Sequence, residues 1–175
     1  FDGLLKAIPA GQGYRFEHFK NNPDDRTSLS SNFVLSVAED PIEPQRYLWV
    51  GTKGGGLNRM DRQTGKFQHF KTEQGLPDNV VYGILTDAVG GLWLSTNKGL
   101  CRMTVEGGRR HFKNFTAADG LQSNEFNTSS YLKMKDGEIK SVGVRRIWNL
   151  MTQRIFLGLM VDRIHLPKFL PQLTT

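Results

Sequence analysis

Tyr47-Leu48-Trp49-Val50-Gly51-Thr52-Lys53-Gly54-Gly55-Gly56-Leu57-Asn58-Arg59-Met60 returns as Gly91-Leu92-Trp93-Leu94-Ser95-Thr96-Asn97-Lys98-Gly99-Leu100-Cys101-Arg102-Met103, with the two tryptophans 44 residues apart. A unit repeated at this interval cannot bury its apolar surface alone, so copies of one small module must stack on one another. In the clearer copy, Val80-Val81-Tyr82-Gly83-Ile84-Leu85, Leu92-Trp93-Leu94, Gly99-Leu100 and Phe112-Lys113-Asn114-Phe115 are short runs parted by Gly, Asn and Asp clusters. That punctuation predicts four antiparallel strands joined by tight turns. A period in the forties carrying a Trp and a glycine turn is the mark of a β-propeller blade.

The first unit keeps the same order from Leu29-Ser30-Ser31-Asn32 to Phe67-Gln68-His69-Phe70. Asn32 and Asn79 stand 47 apart because the stretch 41–47, with two prolines, is three residues longer than its counterpart. That extra length must be loop. Complete blades are expected over 27–71 and 76–116. The Leu4-to-Phe16 spacing of 12 equals that from Leu100 to Phe112, which makes 1–20 the end of a preceding blade. Gly120-Leu121-Gln122-Ser123-Asn124 copies Gly75-Leu76-Pro77-Asp78-Asn79 and opens a further blade over 120–139. The fold class expected is therefore all-β, a propeller fragment of four-stranded antiparallel blades, two complete and two partial. Strands apolar on both faces fit a sheet covered from both sides.

Two full and two partial blades cannot close a ring of the usual four to eight. The chain begins with Phe rather than Met, and it reads as a piece of a longer polypeptide. No signal sequence and no apolar run of the roughly 20 residues that span a bilayer is present. Of the net charge of +6, residues 140–175 carry +5, from six Lys and Arg against Asp162 alone, which leaves +1 for the first 139. The repeats thus lack the basic face that nucleic acid demands. Residues 140–175 also thin out in glycine and abandon blade spacing. They are an atypical tail, read either as frameshifted or disordered, or as a C-terminal helix over an open edge. Cys101 is the single cysteine, so no intrachain disulfide forms, and its strand position makes it a packing residue.

Leu76-Pro77-Asp78-Asn79, an Asp ahead of the Gly91-Leu92-Trp93 strand, the Thr52-to-Arg59 run and Thr64-Gly65-Lys66-Phe67 with Phe70 recur in one order. By these elements residues 1–139 resemble the two-component regulator propeller repeat. The resemblance implies the extracytoplasmic, periplasmic sensor of a bacterial hybrid histidine kinase anchored in the inner membrane. It further implies a segment that is itself non-catalytic and a carbohydrate, such as an oligosaccharide, as ligand. The expected partners are the remaining blades, the downstream sensor and kinase regions of the same polypeptide, and a second copy in a full-length homodimer. No cofactor, metal or nucleic acid is expected. A protein-interaction platform is the alternative, and a propeller polysaccharide lyase or hydrolase the third.

A residue found in every blade serves the blade before it serves a site used once. Trp49 and Trp93 are therefore expected in the core, and Asp40, Asp87, Asn32, Asn79 and Asn124 in turns, through side-chain to backbone hydrogen bonds. Gly54-Gly55-Gly56 lacks the Lys-Ser/Thr and following helix of a phosphate loop, and reads as a strand-to-strand turn. The histidines do not converge on a metal set. None of the one-off acids Asp24, Asp25, Glu43, Glu73, Asp78 and Glu125 is placed beside a nucleophile or base. In a four-stranded blade, the loops leading to the innermost strand and the turns between its second and third strands open on one face. That brings Lys53, Asn97 and Lys98 together as candidate ligand-binding residues, with donors suited to sugar hydroxyls or carboxylates.

Overall fold

The computed structural model describes residues 2–121, 123–133 and 139–143, with side chains placed as far as Phe126. The expectations for 144–175 lie outside the described residues. A hairpin of β1 (Leu4–Ala10) and β2 (Gly13–Phe19) comes first. Two four-stranded antiparallel sheets follow, each a meander in chain order. The first holds β3 (Val34–Glu39), β4 (Tyr47–Thr52), β5 (Leu57–Asp61) and β6 (Phe67–Phe70). The second holds β7 (Val81–Thr86), β8 (Leu92–Thr96), β9 (Gly99–Glu106) and β10 (Arg109–Phe115). A last hairpin pairs β11 (Phe126–Lys133) with β12 (Ile139–Gly143).

The cores lie between sheets, not within them, which is why the strands are apolar on both faces. Trp49, Leu57 and Phe70 of the first blade meet Val81, Ile84, Leu92, Leu94, Cys101 and Met103 of the second. On the other face of the first blade, Val50, Met60 and Phe67 pack with Leu29 and, from the β1–β2 hairpin, Leu4 and Phe19. Leu100 and Phe115 repeat the pattern forward, against Leu121 and Phe126. Leu5 and Phe16 stand where Asn58 and Phe67, or Cys101 and Phe112, face the blade behind, and both are more than half exposed, at 52% and 55%.

The tryptophans differ in burial despite sharing a repeat position. Trp49 is 2% exposed, whereas Trp93 is half-buried and stacks on Phe115 at 5.5 Å. Trp49 looks onto a complete neighbouring sheet, while the same face of the second blade looks toward the β11–β12 hairpin.

Each junction is closed by the same latch. The amides of Gly3, Gly56 and Gly99, which precede or open the third strand of their blades, donate to the carbonyls of Asn32, Asn79 and Asn124 in the next unit, at 3.1, 2.8 and 2.5 Å. The Asn side chains do a second job: their Oδ1 atoms accept the amides of Asn21, Thr72 and Ala117 on the incoming connection, at 2.7, 2.9 and 2.6 Å. Glycine is required at 3, 56 and 99, because φ is +84°, +76° and +100° and a Cβ would run into the main-chain oxygens of Phe19, Phe70 and Phe115. Recurrence of Asn and Gly thus reflects joints between blades.

Candidate functional site

The second recurrent device is an ionic one at the opposite end of each blade. Asp40 Oδ1 accepts the amides of Ile42 and Glu43, both at 3.0 Å, and Oδ2 accepts Trp49 Nε1 at 3.0 Å and Arg59 Nε at 3.1 Å. Asp87 does the same with the amides of Val89 and Gly91, with Trp93 Nε1 at 3.3 Å and with Arg102 Nη2 at 2.7 Å. Burial pushes each carboxyl up. In Asp40 the amides of Glu43 and Ile42 and the Arg59 guanidinium overcome this; in Asp87 Arg102 and the Gly91 amide do so, and both groups end below their ordinary value. The expected turn role of these aspartates is thus accompanied by a tie to Trp and Arg. The arginines were missed as functional side chains. Their signal is the register, Trp49 opposite Arg59 and Trp93 opposite Arg102.

At the other end, Lys53 lies on the β4–β5 turn, with its amide donating to the Phe33 carbonyl at 2.9 Å and its main chain bridging to Val80 at the start of the second blade. The Val80 amide donates to Asp78 Oδ1 at 2.8 Å, and Asn97 Nδ2 reaches that same oxygen at 3.3 Å. Asn97 Oδ1 accepts from the Tyr82 hydroxyl at 2.8 Å. Lys53 and Asn97 therefore converge on the loop before β7. Lys98 follows on the β8–β9 turn, its amide on Thr96 Oγ1 at 3.1 Å and its side chain exposed. Both ends of the Asn97 amide are engaged within the protein, so Asn97 fixes the turn, while the Lys53 and Lys98 ammonium groups point a positive charge outward. Asp78 and Tyr82, which hold this arrangement, carry no repeat signal that singles them out.

Among the described residues no three His, Cys, Asp or Glu side chains gather as metal ligands. Cys101 is buried, and burial pushes its thiol up to about 12, so no thiolate nucleophile stands there at neutral pH. Among the described residues no helix is long and apolar enough to cross a membrane.

The profile of the two-component regulator propeller family matches residues 75–98, which run from the connection before β7 through the β8–β9 turn. No curated protein matches the sequence. Among solved structures, the extracellular domain of a protein described as the hybrid two-component system BT4673 from B. thetaiotaomicron is 25% identical, with a TM-score of 0.63 over 83% of this chain. The extracellular domain of BT3049 from the same organism, also described as a hybrid two-component system, shares the fold at 24% identity, with a TM-score of 0.59 over 72% of the chain. The chain spans only 20% and 16% of the length of these two. Residues 75–98 thus match the two-component regulator propeller repeat, and the Gly–Asn latch and Asp–Trp–Arg tie of the blade they open recur in the blade before it.

Proposed function

We propose that this chain is a ligand-sensing segment of the extracytoplasmic propeller of a bacterial two-component signalling protein, responsive to carbohydrate. The observation that carries the reading is the regulator propeller repeat at 75–98, set in a fold like that of two-component extracellular domains. The segment is non-catalytic, and the phosphotransfer belongs to a histidine kinase elsewhere in the polypeptide, beyond an inner-membrane anchor. Lys53 and Lys98 offer donors to sugar hydroxyls or carboxylates, with Asn97 setting the geometry of their turns. The remaining blades complete the sensor, which works as a homodimer. Ligand transmits a signal only if it binds one arrangement of that dimer more tightly than the other.

The test is calorimetric titration of the full ectodomain with a panel of oligosaccharides, beside kinase autophosphorylation in the intact protein. Saturable binding of one glycan, weakened in Lys53→Ala and Lys98→Ala and coupled to a change in autophosphorylation, is the expected result. Binding of proteins but of no glycan would replace this reading with an interaction platform. Turnover of a bound glycan would make the propeller an enzyme.

A further inference from the structure

The seam between the two four-stranded sheets has a feature that the repeat does not require. Arg110, near the start of β10, is two residues before Phe112, and the matching positions before Phe67 and Phe16 hold Gly65 and Tyr14. A side chain found in one blade only is not there to build blades. Arg110 is half-buried, its guanidinium 4.9 Å from the centre of the Phe70 ring and 6.0 Å from that of Trp49. Its Nε is buried without a hydrogen-bond partner among the described residues. Rings attract a cation through their faces but give it no acceptor lone pair, so that N–H stays unfilled.

Three arginines from the first blade at that end have their acids. Arg59 pairs with Asp40 at 3.0 Å, Arg46 with Asp61 at 3.5 Å and Arg62 with Glu39 at 3.5 Å. Tyr47, which the repeat replaces with Gly91, lies under the Arg59 guanidinium at 3.5 Å. Arg59 is close enough to Arg110 that, after burial, it is the main influence disfavouring the Arg110 charge. Two guanidinium groups share one indole; Asp40 and Glu43 lie against Arg59, and Asp40 reaches Arg110 only through space, which leaves Arg110 without a carboxylate in contact beside an aromatic wall.

We infer that this end of the seam, framed by Arg110, Arg59 and Tyr47, takes up the oxyanion of a ligand, a carboxylate or sulfate group. A guanidinium fork matches such a group through two parallel hydrogen bonds. The Tyr47 ring suits the ligand body next to it. Glu43, half exposed and 3.7 Å from Arg59, sets a limit: the site suits a single anionic group and repels dense polyanions. This site lies at the opposite end of the blades from Lys53 and Lys98 and does not rest on the reading given to them.

The experiment is side-chain NMR of the arginine Nε–Hε resonances in the whole chain, titrated at fixed ionic strength with sodium sulfate, sodium glucuronate or glucose. A saturable shift of the Arg110 resonance with both anions and none with glucose is expected. Equal responses would assign recognition to the anion alone, and a tighter response to glucuronate would add the sugar ring. Arg110→Met keeps the stem over Phe70 and removes the fork, and should weaken binding about tenfold or more. Glu43→Gln should tighten binding, and Arg109→Ala should leave it unchanged. An Arg110 resonance that never saturates, a glucose response equal to that of the anions, or an Arg110→Met chain that melts and binds like the parent would overturn the proposal.

Discussion

Ser36 on β3 lies directly opposite Gly51 on β4, and in the next blade the pair is reversed, with Gly83 on β7 opposite Ser95 on β8. One small and one hydroxylated residue fill the same cross-strand space in either order. Both serines are nearly fully buried, and their hydroxyls have no hydrogen-bond partner among the described residues, so shape rather than bonding holds the arrangement. A Cβ on Gly51 would press on Ser36 Oγ and come within 2.7 Å of the Val81 carbonyl.

The reversal makes a prediction that a double-mutant cycle can read. Gly51→Ser alone should overpack the site and cost about 1–3 kcal/mol. Adding Ser36→Gly should return part of that loss, with a coupling on the order of 1 kcal/mol. Denaturant unfolding of the four species measures it, and strictly additive effects would show that the second blade's order cannot be transplanted into the first.

The two Asp–Trp–Arg ties carry a pH dependence whose sign is determined. Asp40 and Asp87 have folded-state pKa values below the ordinary 3.8, so the folded chain binds fewer protons than the unfolded one as acid is added. Their stabilisation is complete above that value and is lost as pH falls below it, through the lower folded-state values. Asp40→Asn should therefore be less stable at neutral pH, by about 3 kcal/mol, because Arg59 loses its buried carboxylate and keeps only the half-exposed Glu43. The gap between the Asp40→Asn variant and the parent should narrow as the pH falls. Thermal melts between neutral pH and strong acid test this; a gap independent of pH would deny the carboxylate its role.

Burial separates the two tryptophans. Trp49→Ala empties a closed site and should cost about 3–5 kcal/mol. Trp93→Ala removes a half-buried ring and should cost roughly 1–3 kcal/mol. Equal losses in chemical denaturation would mean that the second junction is as tightly closed as the first.

The exposed pair Leu5 and Phe16 gives this chain an apolar face in search of cover. We expect concentration-dependent association in sedimentation velocity that persists at high salt, since burial of apolar area is not screened. Leu5→Lys with Phe16→Glu should leave a monomer. Association unchanged in that variant, or abolished by salt in the parent, would place the contact elsewhere.

The propeller class was legible because its determinants are periodic: Trp49 and Trp93, Gly56 and Gly99, and Asn79 and Asn124 keep their order along the chain. Trp93 was expected in the core, and its partial exposure shows the limit of periodicity, which registers what a position is but not what stands against it. The tie between Asp40 and Arg59 is spread over β4 and β5, so it became visible only once register placed Arg59 across from Trp49. For the candidate face, Lys53, Asn97 and Lys98 could be located from the order of turns. That Asn97 is occupied by Tyr82 and Asp78 could not, since side-chain direction across a blade junction is a property of three dimensions. Arg110 was invisible for the converse reason: a one-off arginine on a strand looks like any solvated charge until its buried, unpartnered Nε is seen.

The latch between Gly and Asn has a direction. At each of the three joints the main-chain amide of the earlier unit donates and the Asn carbonyl of the later one accepts, while the Asn side chain accepts from the connection between them. A contact with unlike halves is heterologous, and repeated along a chain it generates either a closed ring or an open spiral, according to the rotation at each step. Nothing in the bonding of a joint records how many joints there are. Blade number is thus an angular quantity, and insertion or loss of one whole 44-residue unit would leave every latch chemically matched while changing whether the circle can close.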